Sequence, residues 1–291
     1  MLRVAVPNKG SLSASATEML REAGYHQRSE SKELVVSDAA NQVEFFYLRP
    51  RDIATYVGSG RLDIGITGRD LLLDCDAAAT EVLELGFARS AFHFASTPGA
   101  LSTVRDLDGM NIATSFPGIV AKYLAEHGVH AGSIVRLEGA VETSLRLGVA
   151  DVIADVVETG ATLAQLGLEI IGEPLMRSEA VVIRPTAALD ATDAADAADE
   201  EQAAVFLRRL QGVLVARKYV LMDYDIPAEA VAEAVAVTPG LESPTVSPLH
   251  RDGWFAVRAM VPAADTQLIM DRLEKTGAKA ILVTGIHSCR L

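Results

Sequence analysis

The chain has 291 residues, of which 49% are hydrophobic, so it is long enough for two or three globular domains, each with its own core. Its formal net charge of −13 excludes a general nucleic-acid binder, because a phosphate backbone is bound by clustered lysine and arginine. No apolar run is long enough to span a bilayer, and Pro7, Asn8 and Lys9 interrupt the N-terminal residues, so we expect neither a membrane span nor a signal peptide. The two cysteines, Cys75 and Cys289, are far apart, which argues against a disulfide framework and favours the reducing cytoplasm.

Short apolar strands alternate with amphipathic helices at the start of the chain, which predicts an α/β domain with a mostly parallel sheet. The predicted strands are Leu2–Pro7, Val43–Leu48 and Leu62–Ile66, and the predicted helices are Ser13–Ala23 and Pro50–Val57.

Three polar loops follow these predicted strands, and each loop carries a cation: Lys9, Arg49 or Arg69. Ligands of open α/β sheets bind outside the carboxyl ends of the strands, so the three cations are candidate phosphate contacts. Any one of them could equally be a solvated charge at a strand end, but three in succession favour a binding site.

The alternation restarts at about Ala91 and predicts a second α/β lobe of similar size. A strand at Ala180–Arg184 and a helix at Gln202–Ala216 could complete either lobe. The second lobe would contain strands at Met110–Thr114, Ser133–Leu137 and Glu169–Gly172 and helices at Gly118–His127 and Val141–Leu147.

The segment DVIADVVETGAT, residues 151–162, joins an apolar run to two carboxylates and a Thr-Gly-x-Thr turn. The run is typical of a buried strand, and the turn amides and hydroxyls can converge on a phosphate. Asp155 and Glu158 suit a ribose diol or a magnesium-bound pyrophosphate, so the segment indicates a ribose phosphate. Equally, Thr159 could cap a helix and Asp155 could be a hydrogen-bonded buried acid.

Composition changes after the second lobe. Residues 186–201 hold six acidic and no basic side chains, which indicates a solvated linker or a frayed helix start. The remainder predicts the βαββαβ order of a ferredoxin-like module. Its strands are predicted at Tyr219–Met222, Pro244–Leu249, Trp254–Val261 and Ala280–Thr284, and its helices at Ala228–Ala236 and Ala264–Thr276.

Over its whole length the sequence resembles ATP phosphoribosyltransferase of the long form, the first enzyme of histidine biosynthesis. The signature of that family is met by Glu142, Gly148 and the IxDxxxTGxT segment from Ile153 to Thr162. Further blocks that resemble the family are DIGITGRD (63–70), NIATSFP (111–117) and PGLESPT (239–245).

The resemblance implies a two-lobed, periplasmic-binding-protein-like catalytic body and a ferredoxin-like regulatory domain. Lobe I would be residues 1–90 and 180–217, lobe II residues 91–179 with the phosphoribosyl-binding loop, and the histidine-binding domain residues 218–291.

The implied reaction transfers the 5-phosphoribosyl group from phosphoribosyl pyrophosphate to N1 of the ATP adenine, with Mg²⁺, and releases pyrophosphate. Lys9 and Arg49 would stabilise phosphate charge, and Asp155 the ribose or its metal ion. Glu142 would accept a proton or bind metal. Phosphoribosyl pyrophosphate would contact Asp155, Glu158, Thr159, Gly160, Ala161 and Thr162, and ATP would contact Arg69, Asp70, Leu71 and Ser90.

The resemblance also implies feedback inhibition by histidine and assembly into homodimers and homohexamers. Asp225, Leu241, Thr245 and Ala280 would form the histidine site, although Asp225 could be a turn former and the two apolar residues core. Ser11 stands where many relatives carry arginine, which puts a phosphate contact there in doubt.

Two other classes of protein fit parts of the pattern. A phosphoribosyltransferase acting on another base would share the ribose-phosphate loop, and a non-catalytic two-lobed sensor would share the fold. The carboxylates beside the Thr-Gly-x-Thr turn argue against a simple amino-acid binder.

Overall fold

The structure is a computed structural model that describes residues 1–30, 32–99, 101–157, 163, 165–187 and 197–290. Its strands are β1 (Leu2–Pro7), β2 (Val35–Asp38), β3 (Val43–Leu48), β4 (Ile64–Gly68), β5 (Ala79–Glu84), β6 (Ser90–Ser96), β7 (Asn111–Thr114), β8 (Ser133–Arg136), β9 (Val152–Val157), β10 (Glu169–Ser178), β11 (Ala180–Pro185), β12 (Tyr219–Pro227), β13 (Thr245–Pro248), β14 (Trp254–Pro262) and β15 (Lys279–Gly285).

Eight α-helices are described. They are α1 (Gly10–Glu22), α2 (Pro50–Gly58), α3 (Arg69–Cys75), α4 (Pro117–Glu126), α5 (Thr143–Arg146), α6 (Ala197–Lys218), α7 (Val231–Val237) and α8 (Thr266–Lys275). Short 3-10 helices at Val104–Leu107, Ala228–Ala230 and Ala263–Asp265 complete the described elements.

The strands form three sheets. The first has the order β2-β3-β1-β4-β11-β5, and the second has the order β10-β6-β9-β7-β8. The chain passes from the first sheet to the second between β5 and β6 and returns between β10 and β11. This confirms the predicted two-lobed α/β body.

The prediction of a mostly parallel sheet is wrong. In the first sheet β1 pairs in parallel with β3 and β4, but β2–β3, β4–β11 and β11–β5 are antiparallel. The second sheet is also mixed, with β7 parallel to β8 and β9, and β6 antiparallel to β9 and β10. The strand that returns from the second sheet enters the first in the opposite direction, and apolar runs carry no information on direction.

The third sheet has the order β13-β14-β12-β15 and is antiparallel throughout. With α7 and α8 this is the predicted βαββαβ module, whose core contains Met222, Tyr224, Ile226 and Leu273. The chain divides into two compact units, Met1–Glu18 with His26–Ala203 and Met19–Tyr25 with Ala204–Leu291. The first unit contains the first two sheets, and the second unit contains the third.

Several elements differ from the predictions. The segment expected as a loop at Thr67–Asp70 instead ends β4 and begins α3, while β2, β5 and β6 were not predicted. Helix α6 begins at Ala197 and so includes the end of the acidic segment, whose residues 188–196 lie outside the described residues. Strand β12 runs to Pro227, so Asp225 is a strand residue and not a turn former.

Candidate active site

A cavity of about 810 Å³ lies at the carboxyl ends of β1, β3, β7 and β8, between the first two sheets. Ligands of open α/β sheets bind at such strand ends. Four cations and four carboxylates line the cavity, together with hydroxyl, thiol and apolar groups. The lining residues are Lys9, Gly10, Ser11, Leu12, Arg49, Pro50, Arg51, Asp52, Thr55, Asp70, Leu71, Asp74, Cys75, Phe116, Pro117, Arg136 and Glu138.

Lys9 and Arg49 both lie in this cavity, as the positions of their strands predicted. Both residues are exposed, and among the residues that the structure describes neither has an ion-pair partner. The other two cations are already paired, Arg51 with Asp74 at 3.3 Å and Arg136 with Glu138 at 3.0 Å. Lys9 and Arg49 are therefore the cations most available to an anionic ligand. Ser11 lies beside them.

Arg51 is a cavity residue that sequence reasoning missed. It lies in the first turn of α2, and its Nη2 donates a hydrogen bond of 2.6 Å to the Ser115 carbonyl. Its guanidinium carbon lies 4.6 Å from the centroid of the Phe116 ring, an arrangement suited to a cation–π contact. The LRPRD sequence was a possible signal, since its second arginine follows the first by only two positions.

Asp74 connects α3 with α4. Its Oδ1 accepts hydrogen bonds from the Gly118 and Ile119 amides at 2.8 and 3.3 Å, while its Oδ2 faces Arg51. The residue before α4, Phe116, offers no side-chain cap, so Asp74 supplies the negative charge that favours a helix N-terminus. A methyl group on Gly118 would collide with the Asp74 carbonyl, so a glycine is needed for this close approach.

Ser178 connects the predicted adenosine contacts, which are Asp70, Leu71 and Ser90. The Ser178 hydroxyl donates a 2.9 Å hydrogen bond to Asp70 Oδ1 and accepts one of 3.1 Å from the Asp70 amide. Ser90 lies opposite Ser178 in the β6–β10 pairing. Burial raises the pKa of Asp70, and the Ser178 bond and the charge of Arg51 oppose that rise.

Arg69, the fourth predicted ATP contact, is placed differently. Its guanidinium is within 2.6 Å of Glu81, 2.7 Å of Glu84 and 3.7 Å of Glu179, and it does not line the cavity. Its hydrogen bond with Glu81 is the largest influence on its pKa, which is raised. In this conformation Arg69 joins α3 to β5.

Asp155 lies on β9, directly opposite His93 of β6. Its Oδ1 accepts a 2.8 Å hydrogen bond from the Val156 amide. Burial raises its pKa, the negative charge of Glu142 raises it further, and Arg51 acts in the opposite direction. The charge of Glu142, at the start of α5, therefore acts on the Asp155 carboxylate. Across the sheet, His93 Nδ1 is buried without a hydrogen-bond partner within the described residues.

The remaining predicted contacts of phosphoribosyl pyrophosphate, Glu158, Thr159, Gly160, Ala161 and Thr162, lie outside the described residues. They follow β9 directly in sequence, and Glu158 is the third residue after Asp155.

Mg²⁺ would need carboxylate oxygens near the substrate phosphates, because it is usually held by one or two carboxylates and completes its shell with phosphate and water. Asp155 and Glu142 fit that role, since a divalent cation would relieve the repulsion that helps to raise the pKa of Asp155. Across the described ranges no group of three or more histidine, cysteine or acidic side chains could hold a metal by itself.

The predicted histidine-site residues lie in the second unit, and three of them lie on its sheet. Asp225 is on β12, Thr245 on β13 and Ala280 on β15. Asp225 alternates with the buried Tyr224 and Ile226, so it faces away from the core. Leu241 is 38% exposed. Ala280 has a φ of +48°, a conformation that costs a non-glycine residue about 1 kcal/mol.

Within the described residues no helix is both long enough and apolar enough to cross a membrane. Cys75 and Cys289 are free thiols, and Cys75 is exposed at the cavity.

The fold and the cavity define a two-lobed α/β protein with a cationic cleft at the carboxyl ends of its strands, a class suited to anionic ligands. An ATP phosphoribosyltransferase family model matches residues 49–212, and a model of the HisG C-terminal domain matches residues 216–288. The chain belongs to the ATP phosphoribosyltransferase family, and it is a transferase of histidine biosynthesis.

Similar proteins span the whole chain. ATP phosphoribosyltransferase from Streptomyces avermitilis is 65% identical over 291 residues, 100% of both chains. The enzyme of the same name from Mycobacterium tuberculosis is 53% identical over 290 residues, again 100% of both. Among solved structures, the ATP phosphoribosyl transferase (HisG:HisZ) complex from Thermotoga maritima is 27% identical with a TM-score of 0.62, covering 74% of this chain and 98% of that chain.

Proposed function

We propose that the enzyme transfers the 5-phosphoribosyl group of phosphoribosyl pyrophosphate to N1 of the adenine of ATP. The bond from the ribose anomeric carbon to pyrophosphate breaks and a bond to N1 forms, so the products are phosphoribosyl-ATP and pyrophosphate. The observation that carries the proposal, beyond family membership, is the pair of exposed cations Lys9 and Arg49 in a cavity shared by both sheets. Both substrates are polyanions.

Positive charge develops on the ribose and negative charge on pyrophosphate as the bond breaks. Asp155 would stabilise the ribose side through its ionised carboxylate. Lys9 and Arg49 would stabilise the phosphate side, where preorganised charges contribute several kcal/mol, roughly. The N1 lone pair attacks without a general base, and Glu142 would accept the proton that the exocyclic amine then loses. Mg²⁺, held by Asp155 or Glu142 and the substrate phosphates, would supply further charge neutralisation.

Asp70, Leu71 and Ser90 would hold the adenosine. Their grouping around Ser178 supports this assignment. Arg69 would contact ATP only after leaving one of its three carboxylates.

The test is an assay that follows ATP consumption and identifies the product by mass, with each substrate omitted in turn and with pyrophosphatase present to remove pyrophosphate. We expect phosphoribosyl-ATP only when ATP, phosphoribosyl pyrophosphate and Mg²⁺ are all present. Lys9→Ala and Arg49→Ala should each lower kcat/KM by roughly 100-fold. Arg105→Ala, which removes an exposed cation outside the cavity, should not. Product formation on another base in preference to ATP would contradict the proposal.

We also propose that histidine inhibits the enzyme through the second unit, and that the chain forms homodimers and homohexamers. Asp225 would pair with the amino group or imidazolium of histidine. Asp225→Asn should therefore raise the histidine concentration needed for half-inhibition, while Asp252→Asn, at an exposed acid of the same unit, should leave it unchanged. Light scattering with and without histidine measures the assembly.

A further inference from the structure

Arg51 lies where three segments of the first unit meet at the cavity. Arg51 is a residue of α2. Its guanidinium forms an ion pair with Asp74 of α3 at 3.3 Å and donates a hydrogen bond of 2.6 Å to the Ser115 carbonyl, just before α4. Its side chain is only 31% exposed and also covers the face of the Phe116 ring. One guanidinium therefore links residues that follow β3, β4 and β7.

These contacts require an arginine. Nη1 and Nη2 bind two different acceptors in different directions while the planar group stacks on an aromatic ring. A lysine ammonium carries the same charge, but it is a compact point charge without the fork or the flat face.

The charge of Arg51 also acts on both proposed subsites. Its positive charge acts on Asp70, in the proposed ATP site, and on Asp155, in the proposed ribose site. For both carboxylates burial is the larger influence and raises the pKa, and Arg51 opposes it.

We propose that Arg51 is a positioning residue of the phosphoribosyl transfer, which holds the Ser115–Phe116 turn against α3 and so fixes the ATP subsite relative to the ribose subsite. The inference rests on the proposed function and adds a residue to it. Arg51 need not touch either substrate, because it acts through Asp74, Ser115 and the two subsite carboxylates.

The test compares Arg51→Gln, Arg51→Lys and Asp74→Asn with the wild-type enzyme in full steady-state kinetics. For Arg51→Gln we expect kcat to fall by roughly 100-fold, the scale expected when reacting groups are misplaced by about 1 Å. The KM for ATP should change far less than kcat, because Arg51 acts through Asp74 and Ser115 and need not touch ATP. For Arg51→Lys, which keeps the charge but not the planar fork, kcat should still be reduced.

Asp74→Asn keeps the arginine and its charge but weakens the ion pair that anchors it, so kcat should fall in this variant as well. A wild-type kcat in Arg51→Gln would overturn the inference. If that variant does not fold, a wild-type kcat in Arg51→Lys overturns it instead. A wild-type enzyme that forms no phosphoribosyl-ATP would refute the proposed function itself, before any variant is compared.

Discussion

Leu71 and Leu72 are adjacent on α3 but bury their side chains in two different hydrophobic cores. Leu71, 9% exposed, packs in the core of the second sheet with Phe92, Phe116 and Ile119. Leu72, 7% exposed, packs in the core of the first sheet with Ile53 and Val57 on α2. Successive residues of a helix point about 100° apart, so one short helix packs against the cores of both sheets beside the cavity.

The three consecutive leucines of α3 should respond differently to truncation. Leu71→Ala and Leu72→Ala should each lower the free energy of unfolding by about 2–5 kcal/mol, because each leaves a cavity in a packed core. Leu73, 46% exposed, is the matched control, and Leu73→Ala should change stability by no more than about 0.5 kcal/mol. Urea unfolding measures all three.

Of the three leucines only Leu71 also lines the cavity. We therefore expect Leu71→Ala to raise the KM for ATP, whereas Leu72→Ala should leave the KM unchanged at temperatures where both variants are folded. Equal effects of the two substitutions on the KM would show that they act through stability alone.

Gly118 should not tolerate a side chain. A methyl group there would collide with the Asp74 carbonyl, and backbone on both sides must shift, so Gly118→Ala should cost about 1–3 kcal/mol. In an ordinary helix position the same change would stabilise the fold by about 1 kcal/mol. Gly285→Ala is the control, because a methyl group at Gly285 meets nothing within 4 Å. A thermal-unfolding midpoint of Gly118→Ala at or above that of the wild type would contradict the α3–α4 contact.

The buried carboxylate of Asp155 should lower the free energy of unfolding at neutral pH. Burial is the main cause that raises its pKa above the ordinary value of 3.8, so the folded state holds the proton more tightly than the unfolded state. An acid with a raised folded pKa loses stability as pH rises from its unfolded pKa through its folded pKa, and the loss is complete above both.

Asp155→Asn removes that loss, and asparagine can still accept the Val156 hydrogen bond. At neutral pH the variant should therefore be at least as stable as the wild type, and its advantage should shrink on acidification toward pH 4. Its kcat should nevertheless fall by roughly 100-fold. Urea midpoints at several pH values test the first statement, and an advantage that grows as the pH is lowered would disprove it.

Cys75 offers a probe of cavity occupancy, because its exposed thiol lies in the cavity wall. In a Cys289→Ser background, we expect a maleimide to modify Cys75 several-fold more slowly when ATP and Mg²⁺ are present. Cys289 is half-buried and lies in the other unit, so in the Cys75→Ser background its modification should be insensitive to ATP. Labelling of Cys75 at the same rate with and without saturating ATP would place the nucleotide elsewhere.

Much of the fold followed from local patterns. The apolar runs at Leu2–Pro7 and Val43–Leu48 are strands with the predicted bounds, and the βαββαβ order of the C-terminal module is correct. Two of the three missed strands are short or partly exposed: β2 has one buried residue among four, and β5 has none among six. Their pairing with neighbouring strands, which the sequence does not display, decides their conformation.

The candidate site was predictable in part. Lys9 and Arg49 come just after two buried strands. Their positions at the carboxyl ends of those strands were enough to predict that both line one cavity. Asp74 and Ser178 carry no such local signal, and the only one for Arg51 is its position two residues after Arg49. They became site residues through partners that are distant in sequence, as with Arg51 and Ser115 at a separation of 64 residues and Asp70 and Ser178 at 108.

The amino-acid sequence by itself determined the alternation of strands and helices and the family, because both are carried by short motifs of residues that are close together in the chain. Only the tertiary structure decided the direction of the strands, the packing of Leu71 and Leu72 in two different cores, and the contacts of Arg51. Those features depend on hydrogen bonds, side-chain burial and charge between segments that meet only when the chain is folded.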